Sequence, residues 1–343
     1  MRVGLIAPPW LTVPPAAYGG TEYVVEALAL ALQTAGHEVL LAASGDSTCP
    51  VPRLAGFPPS DPAALGQTLI ELRHVTRAYA ELSDMDVIHD HSLIGPHLVD
   101  RPAGVPVVTT AHGPFTPATL EVFGSLPRDV SVVAISRHQA STASGVRIAR
   151  VIHHGIDPAM VPFGAGSGGY CCFLGRMSPD KGITTAIEVA HRAGVPLRIA
   201  AKMHEPPELE YFETVVRPLL GPSDEFLGEL TRPQKTQLLG GALALLNPIA
   251  WDEPFGLVMI EALAAGTPVI ATPRGSVPEI IDDGVTGLIR DTIADLADAL
   301  TRVGELDRAA CRRAVEARFS SRRMAADHVA LYGEVHAARA ARL

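Results

Sequence analysis

Lysine is almost missing from this chain. Of its 28 basic residues only three are lysine, Lys181, Lys202 and Lys235. With abundant alanine, that bias is the mark of a GC-rich genome, and it makes any lysine inside a motif conspicuous. Cysteine is equally scarce: four in 343 residues, with Cys171 and Cys172 adjacent in a predicted strand. That pattern is read as buried, reduced thiols of a cytoplasmic protein. Basic charge falls short of acidic, 28 residues against 37, and the net charge of −9 argues against nucleic acid as a partner. No run of about 18 uncharged apolar residues exists, which excludes a transmembrane helix. The first residues, M-R-V-G-L-I-A, read as a strand and carry no signal-peptide pattern. What the chain does have is 47% hydrophobic residues over a length for which two domains are the natural expectation.

The most informative stretch runs from Trp251 to Ala271, W-D-E-P-F-G-L-V-M-I-E-A-L-A-A-G-T-P-V-I-A. Pro254 disfavours the helical region for Glu253 and keeps it on a loop. A helix is predicted from Gly256 to Ala265, its apolar face made by Leu257, Met259, Ile260, Leu263 and Ala264. Gly266 and Pro268 end it, and a short buried strand follows. Glu253 thus lies at the mouth of a helix N-terminus, and Glu261 roughly 8 Å further along the axis. The N–H groups of Phe255, Gly256, Leu257 and Val258 are placed to face an anion, which the helix dipole also favours. A single glutamate at a helix start is as readily a water-facing acid of a core helix. Two, eight residues apart around P-F-G-L, form a far more specific pattern.

This stretch resembles the E-x7-E signature of the retaining glycosyltransferases of family 4, which have the GT-B fold. That resemblance implies an α/β chain of two Rossmann-like domains facing each other across a cleft. It implies a nucleoside diphosphate sugar as donor, with Glu253 accepting hydrogen bonds from the sugar and Glu261 from the ribose.

The rest of the chain fits the same reading. Strand 3–7, a loop, a helix over 21–35 and strand 39–41 open a Rossmann-like half. Gly19 and Gly20 let backbone approach a ligand. By themselves they mark an ordinary loop equally well, but the resemblance puts them beside the donor diphosphate. A helix is predicted over 62–82. Strand 86–89 leads into His89-Asp90-His91, where no further Cys or His stands at ligand spacing, so structure is favoured over metal. The resemblance sets Asp90 and His91 near the acceptor. His112 follows strand 106–111 at its carboxyl end, where open α/β sheets bind ligands. A lone histidine is usually structural, but the family has one here against the donor sugar. R-V-I-H-H-G-I-D at 150–157 is similar to the family's N-G-V-D turn, with His154 where Asn is common.

Residues 164–169 hold four glycines and are read as the linker between an acceptor-side domain, 1–163, and a nucleotide-sugar domain, 170–320. Strand 170–174 ends in G-R-M-S-P-D-K-G. Arg can grip phosphate through two parallel bonds and Lys adds a point charge. The resemblance identifies Arg176 and Lys181 as the diphosphate pair. It also puts the turn at Gly228-Glu229-Leu230 beside the nucleobase. From Asp291 the chain is predicted helical to its end, and in this fold residues 321–343 cross back to the first domain.

The implied reaction moves a sugar to a hydroxyl with retention, by electrostatic stabilisation of the departing diphosphate. No metal, no cofactor and no protein nucleophile is invoked. His112, Glu253, Arg176 and Lys181 are the catalytic set. UDP is the expected nucleotide, and the favoured acceptor is an oligosaccharide or other natural product, as in the tailoring of an oligosaccharide antibiotic. The alternatives are an epimerase or phosphorylase on the same fold, or a non-catalytic sugar-nucleotide binder.

Overall fold

Runs of Val, Ile, Leu and Ala without alternation belong to strands buried on both faces, and the chain builds two parallel sheets from them. The computed structural model describes residues 1–340. Residues 1–155 and the last helix form one unit, and residues 156–320 form the other.

The first unit contains β1 (Arg2–Ile6), α1 (Gly20–Thr34), β2 (Glu38–Ala42), α2 (Thr68–Glu81), β3 (Val87–Asp90) and β4 (Val107–Ala111). These are followed by α3 (Pro117–Gly124), β5 (Val130–Ala134), α4 (Arg137–Ser141) and β6 (Ile148–Val151). Its strands lie in the order β2-β1-β3-β4-β5-β6, all parallel. The strand order reverses between β1 and β3. The predicted helix over 62–82 is shorter than expected. Pro62–Ala64 is an isolated 3-10 turn, Gly66 takes φ 83°, and α2 begins only at Thr68. A left-handed glycine ends one helical segment and forces the next to start afresh.

The second unit contains β7 (Cys171–Arg176), α5 (Ile183–Ala193), β8 (Leu197–Lys202), α6 (Pro206–Tyr211), β9 (Glu225–Gly228), α7 (Arg232–Gly241) and β10 (Leu245–Asn247). It continues with α8 (Leu257–Ala264), β11 (Val269–Ala271), α9 (Val277–Ile280), β12 (Gly287–Ile289), α10 (Ile293–Arg302) and α11 (Arg308–Arg318). The sheet order is β9-β8-β7-β10-β11-β12, also parallel. Counted within the unit this is 3-2-1-4-5-6, the doubly wound order, with its switch point between β7 and β10. Cys171 and Cys172 are successive residues of β7, so they face opposite sides of the sheet. Both are buried and unbridged, as are Cys49 and Cys311.

The glycine-rich segment 164–169 is not a linker. It lies inside the second unit, where Gly164, Gly166 and Gly168 donate backbone bonds to Ala265, Gly240 and Gly241. A Cβ on Gly164 would sit 2.1 Å from the Gly240 carbonyl oxygen. The glycines are there because two backbones meet. Arg308 closes the junction, donating to the carbonyls of Gly164 and Ala242 and to Thr267 Oγ1. The change of unit falls instead between Gly155 and Ile156.

The expected continuous helix from residue 291 is three. Asp307 breaks the run, its carboxylate accepting from Ala309 N at the start of α11. A second break at Phe319 and Ser320 precedes α12 (Ser321–Ala340), which packs along α1 in the first unit and buries Met324, His328, Leu331 and Tyr332 there.

Candidate functional site

In the second unit the switch point brings the carboxyl ends of β7 and β10 side by side, where open sheets bind ligands. Arg176 is the last residue of β7, and Lys181 closes the 3-10 turn Pro179–Lys181 that follows. Gly182 then takes φ 74°, and a Cβ there would lie 2.0 Å from the Pro248 carbonyl oxygen. Only glycine lets this loop cross the one leaving β10. Ala250 N completes the junction by donating to the Asp180 carbonyl at 2.8 Å. The R-x4-K loop and the loop carrying Glu253 are therefore one construction.

Glu253 is held on both sides. Its N–H donates to the Trp251 carbonyl, and its own carbonyl accepts from Ser276 N. Gly275 presses so close that a Cβ would come within 2.4 Å of the Glu253 backbone, which explains the glycine in G-S-V-P-E. The Glu253 side chain, 16% exposed, accepts from Lys181 Nζ at 2.5 Å and from the Trp251 indole N–H at 3.2 Å. Lys181 also lies over the Trp251 ring, 4.7 Å from its centroid. The acid and the cation to which the resemblance assigns sugar and phosphate are thus ion-paired. Arg176 is half-exposed, 3.4 Å from Asp180 and 3.9 Å from Glu208.

Helix α8 starts at Leu257, one residue later than predicted, because Gly256 is left-handed at φ 84°. Leu257 and Val258 make its first turn, whose N–H groups have no intrahelical acceptor. The Phe255 ring is buried against Phe319, so only its backbone faces the turn. Glu261 is buried on α8 and paired with Lys235 of α7, a partnership that the sequence did not disclose. Leu230 is half-buried after β9, beyond Gly228 at φ 71°.

In the first unit, Gly19 and Gly20 open α1 beyond the carboxyl end of β1. Glu22 in the first turn is buried, and burial pushes its carboxyl up to about 7. His112 follows β4 and belongs to a cluster of imidazoles. His91 Nδ1 and His112 Nε2 share a hydrogen bond at 2.8 Å, and His112 stacks on His154 with ring centroids 5.2 Å apart. His89 is fixed between Tyr332 Oη of α12 and Thr110 Oγ1, and its ring also lies 5.0 Å from that of His328. Burial, and the proximity of His328, push the His112 imidazole down to about 3, so it is neutral at physiological pH.

The stack accounts for His154, which stands where the resemblance has Asn. Among the described residues no group of three or more His, Cys, Asp or Glu is placed to hold a metal ion. Asp90 faces away from the imidazoles. It is fully buried and accepts from Tyr79 Oη and Ser92 N, and burial raises its carboxyl to about 7. That makes it a structural acid, which departs from the expected place for Asp90 beside an acceptor.

Each unit carries its own match to known proteins. A family profile described as Glycosyltransferase Family 4 matches residues 18–160, and one described as Glycosyl transferases group 1 matches residues 166–318. The chain is a family 4-like glycosyltransferase with the GT-B fold. It is similar to AviGT4, a glycosyltransferase involved in avilamycin A biosynthesis, at 28% identity and a TM-score of 0.75, with 98% of each chain covered. It is similar to a phosphatidyl-myo-inositol mannosyltransferase of Mycobacterium leprae, 27% identical over 88% of this chain and 86% of that one. A glycogen synthase of Mycobacterium tuberculosis is 28% identical over 89% and 87%.

Proposed function

We propose that this glycosyltransferase moves a sugar, with retention of anomeric configuration, from a nucleoside diphosphate sugar to a hydroxyl, and that the nucleotide is UDP. The observation that carries this is the junction at the switch point of the second unit. There one glycine crossing fixes Arg176, Lys181 and Glu253 together, with Glu261 one helix further on. Arg176, Lys181 and the first turn of α8 supply positive potential to a diphosphate, which stabilises it as its bond to the sugar breaks. Glu253 and Glu261 supply acceptors for sugar and ribose hydroxyls. His112 is neutral and so can meet an uncharged sugar without placing a cation beside an oxocarbenium-like transition state. The departing phosphate takes the acceptor proton. No metal is called on, since Arg and Lys supply its charge.

For the acceptor, the similarity to AviGT4 over nearly the whole of both chains favours an oligosaccharide or other natural product. The lipid-linked and glucan relatives at comparable identity define the competing classes.

Isothermal titration with UDP, paired with turnover, tests the reading. Glu261→Gln weakens UDP and UDP-sugar alike. Glu253→Gln leaves UDP affinity nearly unchanged and lowers kcat, because a sugar no longer held in place loses the benefit of orientation. If Glu253→Gln abolishes UDP binding while Glu261→Gln does not, the two acids are exchanged in role.

A further inference from the structure

We propose that Lys235 is the positioning residue through which this enzyme distinguishes ribonucleotides from 2′-deoxyribonucleotides, acting on the carboxylate of Glu261. The inference rests on the reading of Glu261 as the ribose acceptor and adds to it a residue outside the motifs that identified the site.

Glu261 sits in an unusual place for an acid. Its side chain is 9% exposed, on a helix whose neighbouring residues Met259, Ile260, Ala262 and Leu263 are fully buried. A carboxylate there loses most of its hydration and needs a cation or several donors to remain charged. Lys235 supplies the cation: its Nζ is ion-paired with Oε1 of Glu261. That pair is made with Oε1 and leaves Oε2 of the same carboxylate outside it. One oxygen is thus committed to the protein, which fixes the plane of the carboxylate and presents the other to a ligand hydroxyl.

The lysine itself stands on a fixed platform. It lies one turn inside α7, whose start is closed by Thr231 donating to Gln234. The far end of that helix is clamped by Tyr170 Oη on the Leu238 carbonyl and by Thr267 Oγ1 on the Leu239 carbonyl. Helix α7 cannot drift relative to α8 without breaking these bonds, so the ammonium is held where the carboxylate needs it. A functional group is only as well placed as the residues that support it.

An acceptor held in this way discriminates by what it leaves unpaired. A ribose presents hydroxyls to Oε2. A 2′-deoxyribose presents one fewer, and the buried carboxylate then gives up water for nothing. If the lysine is lost, the Glu261 carboxylate loses the partner that fixes its plane, and the discrimination goes with it.

The test uses the full chain and measures binding of UDP, GDP and ADP, each against its 2′-deoxy counterpart, by isothermal titration. The wild-type protein prefers the ribonucleotide of its chosen base by about tenfold, the effect of one charge-assisted hydrogen bond. Lys235→Met weakens the ribonucleotide by about that factor and brings the ribo-to-deoxy ratio near one. Lys235→Arg retains the preference. The Glu261→Gln/Lys235→Met double variant is no weaker than Glu261→Gln alone, because both changes remove the same contact. Lys235→Gln replaces the methionine variant if the latter does not keep the wild-type melting temperature. A Lys235→Met protein that keeps the wild-type preference, or that loses ribo and deoxy forms equally, overturns the proposal. If Glu261→Gln itself leaves ribonucleotide affinity and preference untouched, or if no nucleotide binds the wild type, the underlying reading of the site fails, and that result is distinct from a failure of the lysine alone.

Discussion

Lys181 serves two partners at once. Its ammonium, 18% exposed, bonds Glu253 and rests on the Trp251 ring, and in the proposed reaction it is also the point charge for a diphosphate. Removing it therefore does more than remove a phosphate contact, since Glu253 is left as a half-buried carboxylate with only an indole N–H. Arg176, by contrast, is half-exposed and loosely paired. Arg176→Ala is expected to weaken UDP by about tenfold to a hundredfold with little change in melting temperature. Lys181→Met is expected to weaken UDP and also to lower the melting temperature, and the added Glu253→Gln change restores part of that loss of stability. Titration and thermal melts of the three proteins check this. A Lys181→Met/Glu253→Gln protein less stable than Lys181→Met alone counts against the pairing.

At the level of elements, the two crossing loops of the second unit depend on one atom being absent. Gly182 is left-handed and its Cβ position is 2.0 Å from Pro248 O, so Gly182→Ala must both pay the left-handed penalty, about 1–2 kcal/mol, and push the β10 loop away. The expected result is a marked drop in melting temperature together with loss of UDP binding. An alanine variant that melts and binds as wild type refutes the close crossing. Such elements were legible in the sequence where the signal is local: apolar runs gave the strands, and G-R-M-S-P-D-K-G or W-D-E-P-F-G kept their residues on one loop. What joins the loops was not legible. Lys181 and Glu253 are 72 residues apart, Lys235 and Glu261 are 26 apart on different helices, and no periodicity connects them. Residues 164–169 misled because glycine marks both a flexible chain and a close approach of backbones, and the two read alike until the partner, Gly240-Gly241, is seen.

Across the whole molecule, titratable groups are unevenly divided. Six histidines of the first unit, five buried (His74, His89, His91, His154 and His328) and one partly buried (His112), have pKa values pushed below the ordinary 6.5, chiefly by desolvation. Unfolding frees them to protonate below about pH 6.5. Glu22 and Asp90 work in the opposite sense: burial raises them to about 7, so they bind protons in the folded state first and stabilise it as pH falls. The histidines outnumber them, and the unfolded chain binds more protons between about pH 6.5 and 4. Stability of the first unit therefore falls with pH across that window, at up to about 1.4 kcal/mol per pH unit for each net proton. Denaturant melts at pH 8, 6.5 and 5 measure it, and equal midpoints at all three contradict the neutral cluster.

The position of Tyr332 also sets a timetable. His89 Nδ1 is satisfied by a hydroxyl 243 residues later in the chain, and α1 waits for α12 in the same way. The second unit, 156–320, is contiguous and is synthesised in the interval. At about 5–20 residues per second, roughly 10–50 s pass between the emergence of His89 and that of its partner. Through that time the first sheet must stand with one helical cover missing and one nitrogen of its most buried imidazole without its partner, so the part of the protein made first is the last to be finished.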